Sequence, residues 1–469
     1  MNLTEVQKLQ SKLEVGEQKK YITDSVMQCT VWAGLMCTST MDKLCKLILC
    51  HEHLLHKYRG KVSVPPLQMA DDVITAAKCG STASALNAVV NTFMELKKLK
   101  LGVDKCATVH IGTKMSKAKC TVKKVHGEDM KQTEKEKYLG DFVTKSGNSK
   151  DTIIDRKTRA NASLAEIRAI LKDIPLGNKR NQIGLLLRQA LFINGCLVNS
   201  EVWSGYSEND LKDLEVIDHQ ILHVITGAQA KVPTEIMYLE TAQIPIKSVI
   251  SARRLLYLHN ILKRHDSELI KQIYSAMKAD PLKDDWIHLV KQDMKDIDLN
   301  LSDDQIEAMS KYEFKKLIKL KIRSTTKEEL ERVKQGHSKV RNIIHTDLKF
   351  PQKYMSDPKF NNKETSLLFN LRSQCVNEFR GNFSTSNCQY CKKTLDSQEH
   401  ALSCNIVRQH MKKEHIQALD SVKYSDIFSD THRQHNIVQV FQHIIAIREQ
   451  LRAPPIVSAY PGNNTGPGG

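Results

Sequence analysis

Four residues toward the C-terminal end combine soft donors with metal-ligand spacing: Cys388-x2-Cys391-x8-His400-x3-Cys404. Three thiolates and one imidazole favour tetrahedral zinc, with the close Cys-x2-Cys pair anchoring one side of the ion. The residues around them, Lys392 and Lys393 included, bring little apolar mass, so this knuckle is expected to need metal binding in order to fold. Cys375 is too remote to be a preferred ligand, and His410 and His415 are expected on the helix that follows. The competing reading is four unrelated residues in a reducing environment.

A second constellation is Asp71-Asp72, inside the segment SVPPLQMADDVI. Val62, Val64, Leu67 and Met69 before the pair, with Val73 and Ile74 after it, predict a hairpin carrying both acids at its tip. Carboxylates so close repel each other unless a cation screens them, and a divalent metal is the usual remedy. Transfer of a nucleotide to a 3′-hydroxyl uses two metal ions about 3.5–4 Å apart, and acidic hairpins can supply their ligands. Taken alone, the dipeptide reads as an ordinary solvated turn.

These groups must be positioned by a chain of 469 residues that is 41% hydrophobic and 26% charged, a composition able to bury a core. Length suggests two to four folding units. No run of about 18 apolar residues occurs, since Ile183 to Val198 is interrupted by Arg188 and Gln189. The first fifteen residues lack the apolar stretch of a secretory leader. An intracellular location, nuclear or cytoplasmic, is therefore expected, with no membrane association and the twelve cysteines reduced. With 70 Lys+Arg against 53 Asp+Glu, a net charge of +17 makes a polyanion a natural partner.

Leu86, Val89, Val90, Phe93 and Leu96 recur at helical spacing, and strand signals follow in CATVHIG and EKYLGDFV. Beyond Asp151 the pattern changes to long amphipathic helices. One has a clear start, Ser207 three residues before Asp210, and runs through Leu211, Leu214, Ile217, Ile221 and Ile225 to Gly227. Arg253 and Arg254 read as the solvated face of a core helix, and Trp32, Trp203 and Trp286 as packing residues. Residues 311–350 hold twelve Lys/Arg against five Asp/Glu. A last helix is predicted over His432 to Leu451, before a Pro- and Gly-rich tail.

Reading outward from Met69-Ala70-Asp71-Asp72, the chain resembles the non-LTR (LINE-type) retrotransposon reverse transcriptases, over residues 20 to about 450. MADD is similar to their apolar-x-Asp-Asp motif. LKLGVDKCATVHIG resembles the palm segment that carries a lysine, and EKYLGDFV the primer-grip hairpin. VMQCTVWAGLMCTSTMD resembles the template- and nucleotide-contacting motif, with Gln28 matching and Cys29 where a glycine is usual. The resemblance implies that Asp71 ligates two Mg²⁺ (or Mn²⁺) ions, that Asp72 supports them or the primer end, and that Lys105 donates a proton to pyrophosphate. It further implies that Tyr138, Leu139 and Gly140 line the primer grip, that Gln28 contacts template or nucleotide, and that RNA template and DNA primer or target are the partners. A Cys-Cys-His-Cys cluster after the thumb is also a family feature, implicated in nucleic-acid handling. The family's first catalytic aspartate lies well upstream of the glutamine motif. Only 27 residues precede Gln28, so the metal cage is expected to be incomplete.

The fold class expected is α+β: a partial right-hand polymerase palm, then a mainly α-helical thumb and connection, then a small zinc-knuckle region. Its expected divisions are 1–60, an N-terminal remnant with the template motif; 61–147, the partial palm; and 151–310, the helical thumb and connection. They continue as 311–375, a basic helical segment; 376–410, the zinc knuckle; 411–452, a C-terminal helical region; and 453–469, a disordered tail. The function expected is that of a retrotransposon-derived RNA-directed DNA polymerase fragment. The alternative is a catalytically inactive nucleic-acid-binding remnant.

Overall fold

The computed structural model describes residues 31–99, 101–112, 130–174, 179–229, 232–282, 285–336, 348–382, 387–420, 423–429 and 431–452. Gln28, Cys29 and the tail 453–469 lie outside the described residues. The architecture is mostly helical with a few small sheets, an α+β arrangement. No helix is long and apolar enough to cross a membrane.

Helix α1 (Val31–Leu49) packs on α2 (Gly80–Leu96) through Met41, Leu44 and Ile48 on one side and Leu86, Phe93 and Met94 on the other. Spacings of three, four and seven residues in the first set, and of seven and eight from Leu86 in the second, put each set on a single helix face. Between the two helices come short strands β1 (Lys57–Tyr58), β2 (Val62–Ser63), β3 (Leu67–Met69) and β4 (Asp72–Ile74). After α2 come β5 (Ala107–Val109), β6 (Lys131–Thr133), β7 (Lys135–Tyr138) and β8 (Asp141–Thr144). Among the described residues the strands pair only two by two: β1 with β2, β3 with β4 and β7 with β8 antiparallel, β5 with β6 parallel.

Helix α3 (Lys150–Asp173) turns Ile153, Ala160, Leu164, Ile167 and Leu171 inward. α4 (Arg180–Leu187) continues through a π-helical stretch, Arg188–Ile193, into Asn194–Cys196. α5 (Glu208–Thr226) forms where the cap signal placed it: Ser207 and Asp210 make a reciprocal capping box, and Gly227 stops the helix at φ +64°. Gly227 is also a point of close approach, because a Cβ there would stand 2.8 Å from the Cβ of Ser366. Leu211, Leu214, Ile217, Ile221 and Ile225 of α5 pack against α3 in the main core. Each fully buried aliphatic side chain contributes about 1.5–3 kcal/mol relative to exposure.

That core continues through α6 (Thr234–Thr241) and the start of α7 (Ile246–Leu262), then resumes at Leu330 and Leu348 and runs through the rest of the described chain. The second half of α7 belongs to a separate apolar cluster with α8 (Leu269–Ala279), α9 (Trp286–Asp296), α10 (Asp303–Ala308) and α11 (Lys311–Gly336). The C-terminal part holds α12 (Asn362–Arg372), α13 (Gln398–Ser403), α14 (Asn405–Gln409), α15 (Lys413–Asp420), α16 (Asp426–Ser429) and α17 (Thr431–Arg452).

Buried charges staple these layers together. Arg188, in the π stretch, makes a two-toothed pair with Asp218 at 2.6 and 2.7 Å, and Tyr238 Oη donates to the same carboxylate at 3.1 Å. Arg372 grips Glu240 at 2.9 and 2.8 Å, and Tyr354 Oη donates to Glu240 at 2.6 Å. Arg254 departs from the sequence expectation of a solvated face, since it is buried and bonds Asp293 Oδ2 at 2.6 Å. Arg253 is also turned inward, donating to the carbonyl oxygens of Leu197 and Ile193. A buried guanidinium needs a compensating acid, and here that acid sits on α9, 39 residues away.

Candidate functional site

The cysteine–histidine cluster is built by a tight loop and two short helices. The Cys388 N–H donates to the Thr394 carbonyl at 2.7 Å and the Lys392 N–H returns to the Cys388 carbonyl at 2.8 Å, bending the chain so that Cys388 and Cys391 face the same point. Ser397 caps α13 by accepting from the His400 N–H at 3.0 Å, which fixes His400 in the first turn. Cys404 follows at the junction of α13 and α14.

The four ligand atoms lie within 4.8 Å of one another. Cys388 Sγ and Cys404 Sγ are 3.9 Å apart, and Cys391 Sγ and His400 Nε2 are 3.3 Å apart. Zinc bonds of about 2.3 Å to sulfur and 2.0–2.1 Å to nitrogen, opened to the tetrahedral angle, require ligand separations near 3.5–3.8 Å. The donor set and the spacing both fit a zinc ion. Thr394 Oγ1 stands 2.9 Å from His400 Nδ1; accepting that N–H leaves the Nε2 lone pair free for the metal.

The thiols differ in environment. Backbone N–H groups of Lys393 and then Thr394 draw Cys391 down to about 6, while burial, reinforced by the neighbouring sulfurs, pushes Cys404 up to about 11. A metal ion held here would stabilise both as thiolates at once. Contrary to the expectation of little apolar mass, Cys388, Ala401, Leu402, Cys404 and Val407 belong to the main core. Long-range packing supplies what the local sequence lacks.

Asp71 and Asp72 stand at the tip of the β3–β4 hairpin, whose last rung is Met69 opposite Asp72. Ala70 takes φ +55°, and both acids are exposed. Among the described residues no third metal-ligating side chain completes this pair. Gln68 ties the hairpin to α1, its Nε2 donating to the Thr38 carbonyl at 3.3 Å and its Oε1 facing Cys45 Sγ at the same distance.

The hairpin β7–β8 lies beside it. Tyr138 Oη reaches the Leu67 carbonyl at 3.5 Å, and burial together with the Asp72 charge raises the Tyr138 phenol above its ordinary range. The two-residue turn of this hairpin, Leu139-Gly140, has φ +48° and +93°. α3 clamps it: Arg156 Nη2 donates to the Gly140 carbonyl at 3.1 Å and to Asp141 Oδ1 at 2.7 Å, and Thr152 Oγ1 accepts from the Phe142 N–H at 2.9 Å. Lys105 closes a one-turn 3₁₀ segment, Val103–Lys105, and is exposed; among the described residues no ion pair joins it to either aspartate. The structure thus brings Tyr138 to the acidic hairpin, and Lys105 makes no such contact.

A third surface lies on α11. Phe314, Ile318 and Ile322 face the second core, leaving Lys311, Tyr312, Lys315, Lys316 and Lys319 exposed on the outer side. Tyr312 is 75% exposed, and among the described residues none of these four lysines has a carboxylate partner. Sequence reasoning found the lysines and missed Tyr312, although an aromatic residue within a basic helix was a visible signal. It also missed Arg156 and Thr394, whose contacts follow no familiar spacing, and Arg448, whose partners are remote in the chain. Compared with known proteins, the chain matches no family model, no curated protein and no solved structure.

Proposed function

We propose that this chain is a nucleic-acid-binding segment of a retrotransposon-type reverse transcriptase, with a zinc-stabilised C-terminal fold. The observation that carries the reading is the lysine stripe of α11, which has no carboxylate partner among the described residues. Lys311, Lys315 and Lys319 recur every four residues, about 6 Å apart along the helix axis. Cations in such a row neutralise backbone phosphates and release counterions, so affinity falls with salt by about 0.9 power per duplex phosphate contacted. The exposed Tyr312 ring adds a surface on which an unpaired base can stack.

The test reverses Lys315, Lys316 and Lys319 to Glu and follows binding by fluorescence anisotropy at two salt concentrations. Affinity should fall uniformly across sequences, with a shallower salt slope. Unchanged affinity and slope would mean that the lysines are merely a solvated helix face.

A second reading, RNA-directed DNA polymerase, is favoured by the adjacency of the two hairpins. In it Asp71 and Asp72 would hold Mg²⁺ or Mn²⁺ for nucleotidyl transfer, Lys105 would protonate the leaving pyrophosphate, and Tyr138, Leu139 and Gly140 would support the primer. A primed RNA template with deoxynucleotides and either metal separates the readings. We expect no extension, because Asp71 and Asp72 lack a third ligand among the described residues. Extension abolished by Asp71→Ala would establish the polymerase.

A further inference from the structure

Arg448 of α17 reaches the cysteine–histidine cluster, and its side chain is 0% exposed. Its Nη2 lies 4.0 Å from Cys388 Sγ and pairs with Asp396, while its Nη1 donates to the Glu378 carbonyl at 2.8 Å. The guanidinium is held between two rings, 4.8 Å from the centre of Phe379 and 5.0 Å from that of Tyr390. Tyr390 Oη in turn donates to the Arg448 carbonyl at 2.9 Å. Cys388, Tyr390 and Asp396 all belong to the loop that presents the metal ligands, so a single residue of the last helix gathers three contacts from that loop.

A buried arginine is costly unless an anion faces it, and the arrangement offers two. Asp396 is one. The other is the metal centre itself, because three thiolates around a divalent ion carry a net charge of −1, and Cys388 sulfur is the ligand atom next to the guanidinium. We propose that Arg448 is the outer-shell cation of this metal centre, and that through it metal occupancy holds α17 in place. The inference rests on the zinc reading of the cluster. With metal bound, Cys388 sulfur is an anion that accepts a charge-assisted hydrogen bond from Arg448. Without metal that attraction weakens, and α17 keeps its apolar contacts, the Asp396 pair, the Glu378 and Tyr390 hydrogen bonds and the two ring contacts. Residues that orient or balance metal ligands in this way typically change affinity about 10–100-fold when removed.

The experiment uses the full chain and zinc. Elemental analysis first establishes zinc stoichiometry; one ion per chain is expected, and none would overturn the metal reading and this proposal with it. Hydrogen exchange over residues 431–452 is then compared with and without a chelator, and should accelerate on metal removal. Unchanged exchange in a chain that does bind one zinc would overturn the coupling while leaving the metal centre standing. Finally, chelator competition measures zinc affinity in Arg448→Met and Arg448→Lys. The methionine variant should lose tenfold or more and the lysine variant less, whereas affinities within twofold of the parent in both would overturn the role. If Arg448→Met does not fold, the exchange comparison on the unmodified chain decides the coupling by itself.

Discussion

The acidic hairpin and the cysteine–histidine loop are the same kind of device at the level of sequence, a short bend presenting close-set ligands, and the fold treats them in opposite ways. Asp71 and Asp72 sit exposed on a hairpin of three rungs whose strands contribute no buried residue. Cys388 and Cys404 are 0% and 1% exposed, packed into the main core with Phe379 and Phe441. A ligand pair on the surface leaves room for a substrate or another chain to complete it. Cys391 and His400 are half-buried, but Cys388 and Cys404 anchor the set in the core, so a metal held there would act chiefly on stability.

The largest consequence of that difference should appear when each site is cut. On the zinc reading, Cys404→Ser or chelation removes the ion from the cluster and leaves the Cys388 sulfur beside Arg448 without its metal. Urea denaturation should show a loss above about 3 kcal/mol, with protease cleavage opening between residues 387 and 452. Asp71→Ala changes an exposed turn residue and should shift stability by less than about 0.5 kcal/mol. Comparable losses in the two variants would break the contrast and would mean that the acidic hairpin also carries structural weight.

What could be read in advance follows the same division. The β3–β4 hairpin, the Ser207–Asp210 cap with its Gly227 stop, and the Cys/His spacing are all encoded within a few residues, and the sequence expectation matched the structure there. The buried arginines were opaque. Arg254 on an apolar helix looks like a solvated residue until Asp293 is placed beside it, and Glu240 lies 132 residues from Arg372. The parallel pairing of β5 with β6 was equally hidden, because such a pairing is fixed by a crossover and no local turn chemistry announces it. For the same reason the cluster looked poor in apolar support when its own neighbours were the only ones in view.

The smallest effect tests whether the hairpin region is tuned for folding at all. Both central residues of the β7–β8 turn have positive φ, the pattern of a type I′ turn, which Asn-Gly satisfies without strain. Leu139 occupies the first position at φ +48° with 49% of its surface exposed, so it bears a left-handed backbone cost of about 1–2 kcal/mol and recovers little by burial. Leu139→Asn should therefore stabilise the hairpin by about 1 kcal/mol, slowing hydrogen exchange of the β7 and β8 amides about fivefold. Anisotropy on the same variant separates two causes. If exchange slows and nucleic-acid affinity drops, the strained leucine is retained for contact with the partner, as expected of a surface site whose ligands are supplied from outside. If exchange instead quickens, the half of Leu139 that is covered stabilises the turn by more than its backbone strain costs, and this hairpin belongs with the core-bound cluster as a structural element.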